Sequence, residues 1–134
     1  MKRLLLIFIV ALFAITSFAA IASAFTMNEQ VVVAGELIAI ARVPAGGLTP
    51  TQRIERINER LAYILGYERL SPSAIYLVPK GDCIAIMVGR SLLMTVTPRD
   101  AKANNTTVSK LAQEWLRNAR MALPKARPTM GVLA

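Results

Sequence analysis

Nineteen consecutive residues, Leu4 to Ala22, carry no charge and only two hydroxyls, Thr16 and Ser17. A run of this kind cannot form the surface of a soluble fold. It is either a leader that is cut away or a helix that spans a bilayer, where about 20 apolar residues are needed. Lys2 and Arg3 precede it as a short positive region, and Ala22-Ser23-Ala24 follows the small-x-small rule of signal peptidase. The Ala-rich second half and this ending favour a cleaved signal peptide over residues 1–24, with an uncleaved anchor as the other reading. In both, the positive-inside rule sends the remainder out of the cytoplasm, to the periplasm, the cell surface or the medium. The run also accounts for a chain that is 54% hydrophobic. Without residues 1–24 the net charge falls only from +8 to +6, because Lys2 and Arg3 are the only charges removed.

What remains has room for one small domain, expected over residues 25–123. Gln30 to Ala34 and Leu37 to Val43 read as strands joined by a Gly-X turn at Gly35-Glu36. Pro44 to Leu48 reads as a loop. Thr49-Pro50-Thr51-Gln52 has a cap residue, a Pro at the first helical position and a Gln three residues after the cap, the pattern of a capping box. Ile54, Ile57, Leu61, Ile64 and Leu65 then fall on one helical face, with Arg53, Arg56, Glu59 and Arg60 on the remainder. Gly66 suits the left-handed residue that ends a helix.

Three strand-like runs follow, Ala74–Val78, Cys83–Val88 and Ser91–Thr97, joined at Lys80-Gly81-Asp82 and Gly89-Arg90. In the last run Leu92, Met94 and Val96 alternate with Leu93, Thr95 and Thr97, which predicts one buried and one partly wet face. Thr97-Pro98-Arg99-Asp100 repeats the logic of Thr49 and opens a short helical turn. Asn104-Asn105 is a turn, and Thr106 or Thr107 caps a helix whose core stripe is Val108, Leu111, Ala112, Trp115, Ala119 and Leu123. Pro124 ends it, and residues 124–134 read as a disordered tail. The expected fold is α+β in the order ββαβββα. One antiparallel sheet of about five strands would have two amphipathic helices on one face, preceded by the N-terminal apolar helix.

The absence of His and the single Cys restrict chemistry more than the totals do. No disulfide within the chain, no Cys/His zinc site and no histidine-based triad can be built. The eight acidic residues read as turn, cap and outer-face residues, and no spacing points to a carboxylate pair. No cofactor, metal or catalytic residue is expected, and the chain is not expected to be an enzyme. Cys83 reads as a small buried hydrophobe, or else as a thiol for an intermolecular disulfide; Trp115 reads as a packing residue before a ligand platform. Basicity is the remaining signal. Arg53, Arg56 and Arg60 lie within two turns of the first helix, and Arg117 and Arg120 near the end of the last. They are the candidates for contact with an envelope protein, anionic lipid or a cell-wall polymer. Nucleic acid is not expected, because basic and aromatic residues are not interleaved.

Three stretches taken in order carry a resemblance. They are Val33-Ala34-Gly35-Glu36-Leu37-Ile38; then Leu48-Thr49-Pro50-Thr51-Gln52-Arg53 running into Ile57-Asn58-Glu59-Arg60-Leu61; then Thr95-Val96-Thr97-Pro98-Arg99-Asp100-Ala101. Together they resemble the small soluble extracytoplasmic domain ahead of the pore in some bacterial, notably cyanobacterial, small-conductance-type mechanosensitive channel proteins. They also resemble short uncharacterised exported proteins of the same layout. The resemblance implies a sensory or interaction module and brings no catalytic residues. No pore helices follow the domain here, so channel activity is not expected. The other reading, from a different class, is a small secreted enzyme or enzyme inhibitor acting through the Pro44–Leu48 loop.

Overall fold

The computed structural model describes residues 29–126. The expected leader over 1–24, the apolar helix within it and the tail beyond 126 lie outside the described residues. Among the described residues no helix is long and apolar enough to cross a membrane.

Strands β1 (Gln30–Val33) and β2 (Glu36–Ile40) pair antiparallel as a two-stranded sheet. Helix α1 (Pro50–Tyr67) leads through a 3₁₀ turn at Pro72–Ala74 into β3 (Ile75–Lys80), β4 (Cys83–Val88) and β5 (Ser91–Val96). These form a second, three-stranded antiparallel sheet in the order β3-β4-β5. Helices α2 (Pro98–Ala103) and α3 (Val108–Ala122) and a 3₁₀ turn at Leu123–Lys125 complete the described chain. The α+β class and the element order are as expected, but the single five-stranded sheet is not: the strands divide into two sheets. Both long helices pack against the three-stranded sheet and also reach the smaller one. Helix α1 packs on β1 and β5, and α3 packs on β2, β3 and β4, so each helix bridges the two sheets.

Arginines explain why the hairpin does not simply extend the larger sheet. Each outer strand of that sheet has a carbonyl already engaged by a helix-borne guanidinium. Arg120 of α3 donates to Ile75 O of β3 from Nε (3.0 Å) and Nη2 (2.8 Å), and Arg53 of α1 donates to Thr95 O of β5 (3.3 Å). β3 also carries Pro79, which has no N–H for a further strand. Occupied carbonyls and a missing donor are the means by which sheet edges resist further pairing.

Local chemistry accounts for most element boundaries. At Thr49 the hydroxyl accepts from Gln52 N (3.2 Å) and Gln52 Oε1 accepts from Thr49 N (3.0 Å), which is the expected capping box. At Thr97 the same reciprocal pair forms with Asp100. Thr107, not Thr106, caps α3 by accepting from Lys110 N. Asn105 is left-handed (φ 51°), as a tight turn after α2 requires. Pro124 follows α3 inside a 3₁₀ turn over Leu123–Lys125, so helical structure continues slightly past the expected stop.

Four local expectations are corrected. Gly66 lies inside α1, which ends two residues later at an extended Glu68 cap. The first hairpin turns at Ala34-Gly35, with Glu36 already paired to Val33. The second strand stops at Ile40 instead of Val43. Strict alternation in β5 fails, because Ile86 pairs with Met94 while Met87 pairs with Leu92. The extra residue Leu93 is a β-bulge, and it turns both Leu93 and Met94 inward. β2 does the same: Val31 pairs with Ala39 and Val32 with Leu37, so Ile38 and Ala39 are both buried.

The Ala34-Gly35 turn has left-handed φ at both residues, 51° and 79°. That conformation suits Asn-Gly, whereas an Ala there carries the Cβ penalty of the left-handed region, about 1–2 kcal/mol. Ala34→Asn is therefore expected to raise stability by about 0.5–1 kcal/mol, read as a later urea midpoint with unchanged slope. A lower midpoint would refute the turn assignment.

The core lies between the two sheets and the two long helices. Ile54, Ile57, Leu61 and Ile64 of α1 and Leu111, Ala112, Trp115 and Ala119 of α3 are buried, as their spacing predicts, and meet Val31 and Ile38 from one sheet and Ile75, Ile86, Val88, Leu93 and Val96 from the other. Asn118 donates to Ile38 O (3.2 Å) two residues before Arg120 reaches Ile75 O, so one turn of α3 is tied to both sheets.

Candidate functional site

The residues between β2 and α1 form a turn with defined geometry. Ala45 and Leu48 exchange two backbone hydrogen bonds (3.1 and 3.0 Å), and Gly46 and Gly47 between them are both left-handed, at φ 58° and 76°. The expected loop over Pro44–Leu48 is thus a closed two-residue reversal. It stands over the start of α1 and the end of β5.

A cleft of about 310 Å³ opens between this turn, α1 and β5. Leu48, Ile57 and Met94 supply its apolar floor, and Arg56 and Arg60 stand one helical turn apart along α1. Thr95, Thr97 and Cys83 complete the wall away from the helix. On the other side of the Gly46-Gly47 turn, Asp82, Cys83, Pro98 and Arg99 border a more open groove.

The five candidate arginines do not share one environment. Arg53, expected on the solvated side of α1, is buried at 7% exposure. Its guanidinium makes a two-pronged ion pair with Asp100, Nη1 to Oδ1 at 2.8 Å and Nη2 to Oδ2 at 2.9 Å, and Nη1 also donates to Val43 O at 2.6 Å. Asp100 is 1% exposed and is at the same time the capping carboxylate of α2, accepting from Thr97 N and Thr97 Oγ1. Arg53 therefore fastens the start of α1 to the start of α2. Its charge is answered internally and is not offered to a surface partner, which corrects its place in the expected surface set.

Arg56 is exposed and pairs with Glu59 at 3.3 Å, a solvated pair of small worth. Arg60 is half-buried; burial first, and then the neighbouring Arg56, push its pKa below the usual arginine value, with Glu59 opposing. Arg117 is exposed, and Arg120 is half-buried on Ile75 O. The two ends of the expected basic set thus lie on different helices. On the first helix all three arginines line the cleft, Arg53 at its inner end and already paired with Asp100, Arg56 and Arg60 at its mouth.

Cys83 opens β4, half-buried, and its thiol donates to Asp82 Oδ1 at 3.3 Å. Loss of hydration, that hydrogen bond and the negative charges of Asp82 and Asp100 all raise its pKa, so the thiol form is favoured. No group of three or more Cys, Asp or Glu positioned for a metal occurs among the described residues. Every buried side-chain nitrogen and oxygen among them has a hydrogen-bond partner.

Sequence reasoning placed Arg56, Arg60 and the Pro44–Leu48 segment, but it missed the other wall. Met94 and Thr95 enter the cleft from β5 and Cys83 from β4. The signal that could have found Asp100 as the partner of Arg53 was the near-repeat of two Thr-Pro capping boxes. It does not show that the two helix starts meet.

A family described as a domain of unknown function (DUF8459) matches residues 30–126, from the first residue of β1 to just beyond the last 3₁₀ turn. No curated protein and no solved structure matches the chain.

Proposed function

The chain belongs to the DUF8459 family through residues 30–126, and from that premise we propose that its domain is a non-enzymatic extracytoplasmic interaction module. It is carried across the membrane by residues 1–24 and recognises an anionic envelope surface or an acidic protein partner. The observation that carries this reading is the pair Arg56 and Arg60 at the mouth of the cleft. Arg56 is paired with the exposed Glu59, and burial and the neighbouring Arg56 both make a charged Arg60 less favourable. Positive charge held together in this way favours an anion brought from outside. The resemblance to channel-associated extracytoplasmic domains supports a sensory or binding role. Arg117 and the half-buried Arg120 contribute a second basic area on α3, and Arg53 does not take part.

Pelleting with phosphatidylglycerol vesicles and with isolated cell wall tests the proposal. Association is expected at low salt and release at high salt, where the screening length falls below about 8 Å. A variant carrying Arg56→Gln, Arg60→Gln and Arg117→Gln should lose it. Failure to associate with either material at low salt would remove the surface reading.

The enzyme or inhibitor reading keeps one specific support: a concave site does open beside the Pro44–Leu48 segment. Its difficulty is chemical. The nucleophile at hand, Cys83, is held as a thiol, and the nearby carboxylate Asp100 is fully engaged.

A further inference from the structure

The cleft beside α1 has two chemically different parts, and their combination narrows what it would hold. Its floor is apolar: Ile57 and Met94 are buried residues of the core whose surfaces form the base, and Leu48 of the Gly-Gly turn leans over them half-buried. Its lip is cationic, with Arg56 and Arg60 one turn apart on the same helix. The guanidinium at the inner end, Arg53, does not compete for a ligand, because Asp100 occupies it in two-pronged fashion.

We propose that this cleft binds a small amphipathic carboxylate, a single short acyl chain or ring whose carboxylate meets Arg56 and Arg60 while its apolar body lies on Leu48, Ile57 and Met94. A bare hydrated anion would leave the floor uncovered. A neutral apolar molecule would strip water from the arginines and give them no partner, which is unfavourable. A guanidinium is well matched to a carboxylate, and such charge-assisted bonds are stronger than neutral ones. The volume sets the size: about 310 Å³ stands at the small end of ligand clefts, enough for one short chain and too little for a two-chain lipid. The left-handed Gly46 and Gly47 keep the Leu48 wall in place, so the site is formed before the ligand arrives. The raised cost of keeping Arg60 charged adds to the case, since a carboxylate would relieve it.

The inference rests on the proposed function only in treating Arg56 and Arg60 as anion acceptors. The experiment titrates the protein with octanoate, and in parallel with octanol and with inorganic phosphate, following backbone amide shifts by NMR. Octanoate should saturate one site, with shifts concentrated at Leu48, Ile57, Arg60 and Thr95. Arg60→Gln should weaken it roughly tenfold, the loss of one charge-assisted hydrogen bond, with the melting temperature unchanged. Octanol and phosphate should each bind at least roughly tenfold more weakly for the same reason. Phosphate binding as tightly as octanoate would overturn the role of the floor, and octanol binding as tightly would overturn the role of the arginines. An absence of saturable octanoate shifts would overturn the site. If octanoate saturates the cleft of a protein that stays off vesicles and cell wall at low salt, only the surface reading falls. Adsorption to those materials without octanoate binding removes only this inference.

Discussion

Asp100→Ala should lower the stability of the domain by about 3–5 kcal/mol, the range for removing one partner of a buried ion pair. That is a large part of the roughly 5–15 kcal/mol that holds a small domain together. The loss comes from what is left behind. Arg53 would keep its bonds to Val43 O and Thr95 O, but its charge would stay buried with no counter-charge. α2 would also lose its capping carboxylate, which accepts from Thr97 N at 2.9 Å and Thr97 Oγ1 at 2.8 Å. At about 4–8 °C per kcal/mol the melting temperature should fall by at least about 12 °C. Arg53→Met should do comparable harm by leaving the carboxylate alone. The double replacement of Arg53 by Met and Asp100 by Leu should recover much of the loss, because no buried charge remains. A cycle built from Arg53→Met, Asp100→Leu and their combination measures the coupling directly. If Arg53 were a solvated residue on a helix surface, Arg53→Met would change stability by no more than about 0.5 kcal/mol, and that result would refute the clasp.

Trp115→Ala should be the most damaging substitution in the apolar core, at about 3–5 kcal/mol. Trp115 is 4% exposed and sits at the centre of the α3 stripe. α3 is the element tied by side chains to both sheets, through Asn118 to Ile38 O and Arg120 to Ile75 O. A cavity under Trp115 therefore weakens the packing of both sheets at once. Trp115→Phe fills most of the space and should cost clearly less. Trp115 is the only tryptophan in the chain, so the comparison should follow far-ultraviolet circular dichroism through a denaturant titration. Equal midpoints for the Ala and Phe variants would mean that the site is not closely packed.

The parts of this fold that were legible in the sequence are those decided within one or two turns of chain. Thr49-Pro50 with Gln52, and Thr97-Pro98 with Asp100, each satisfy the first free N–H groups of a helix from a side chain three residues away. The buried stripes of α1 and α3 follow from a 3.6-residue period, and Gly89-Arg90 turns a hairpin where a two-residue reversal needs a left-handed first residue. Gly66 shows the limit of such reasoning. A glycine near the end of a helix is free to end it, but the helix continues one residue further, to Tyr67.

The cleft was legible only in part. Arg56 and Arg60 were visible as a basic helix surface, and the Pro44–Leu48 segment as a break in the chain. That a cavity lies between them depends on Met94 and Thr95 of β5, more than 30 residues further along the chain, and nothing in the local pattern carries that distance. The β-bulges at Ile38 and Leu93 were equally hidden, since an apolar run reads alike with or without an extra residue.

The sequence by itself determined where helices start, which of their faces are apolar and, to within a residue, where hairpins turn, because each of these depends on neighbours along the chain. Tertiary structure alone decided that the five strands divide into two sheets, that Arg53 turns inward while Arg56 and Arg60 remain at the surface, and that a cleft forms between them and β5. Arg53 and Asp100 are 47 residues apart. Burying an arginine is unfavourable unless a carboxylate is waiting, and only the packed fold brings one to it.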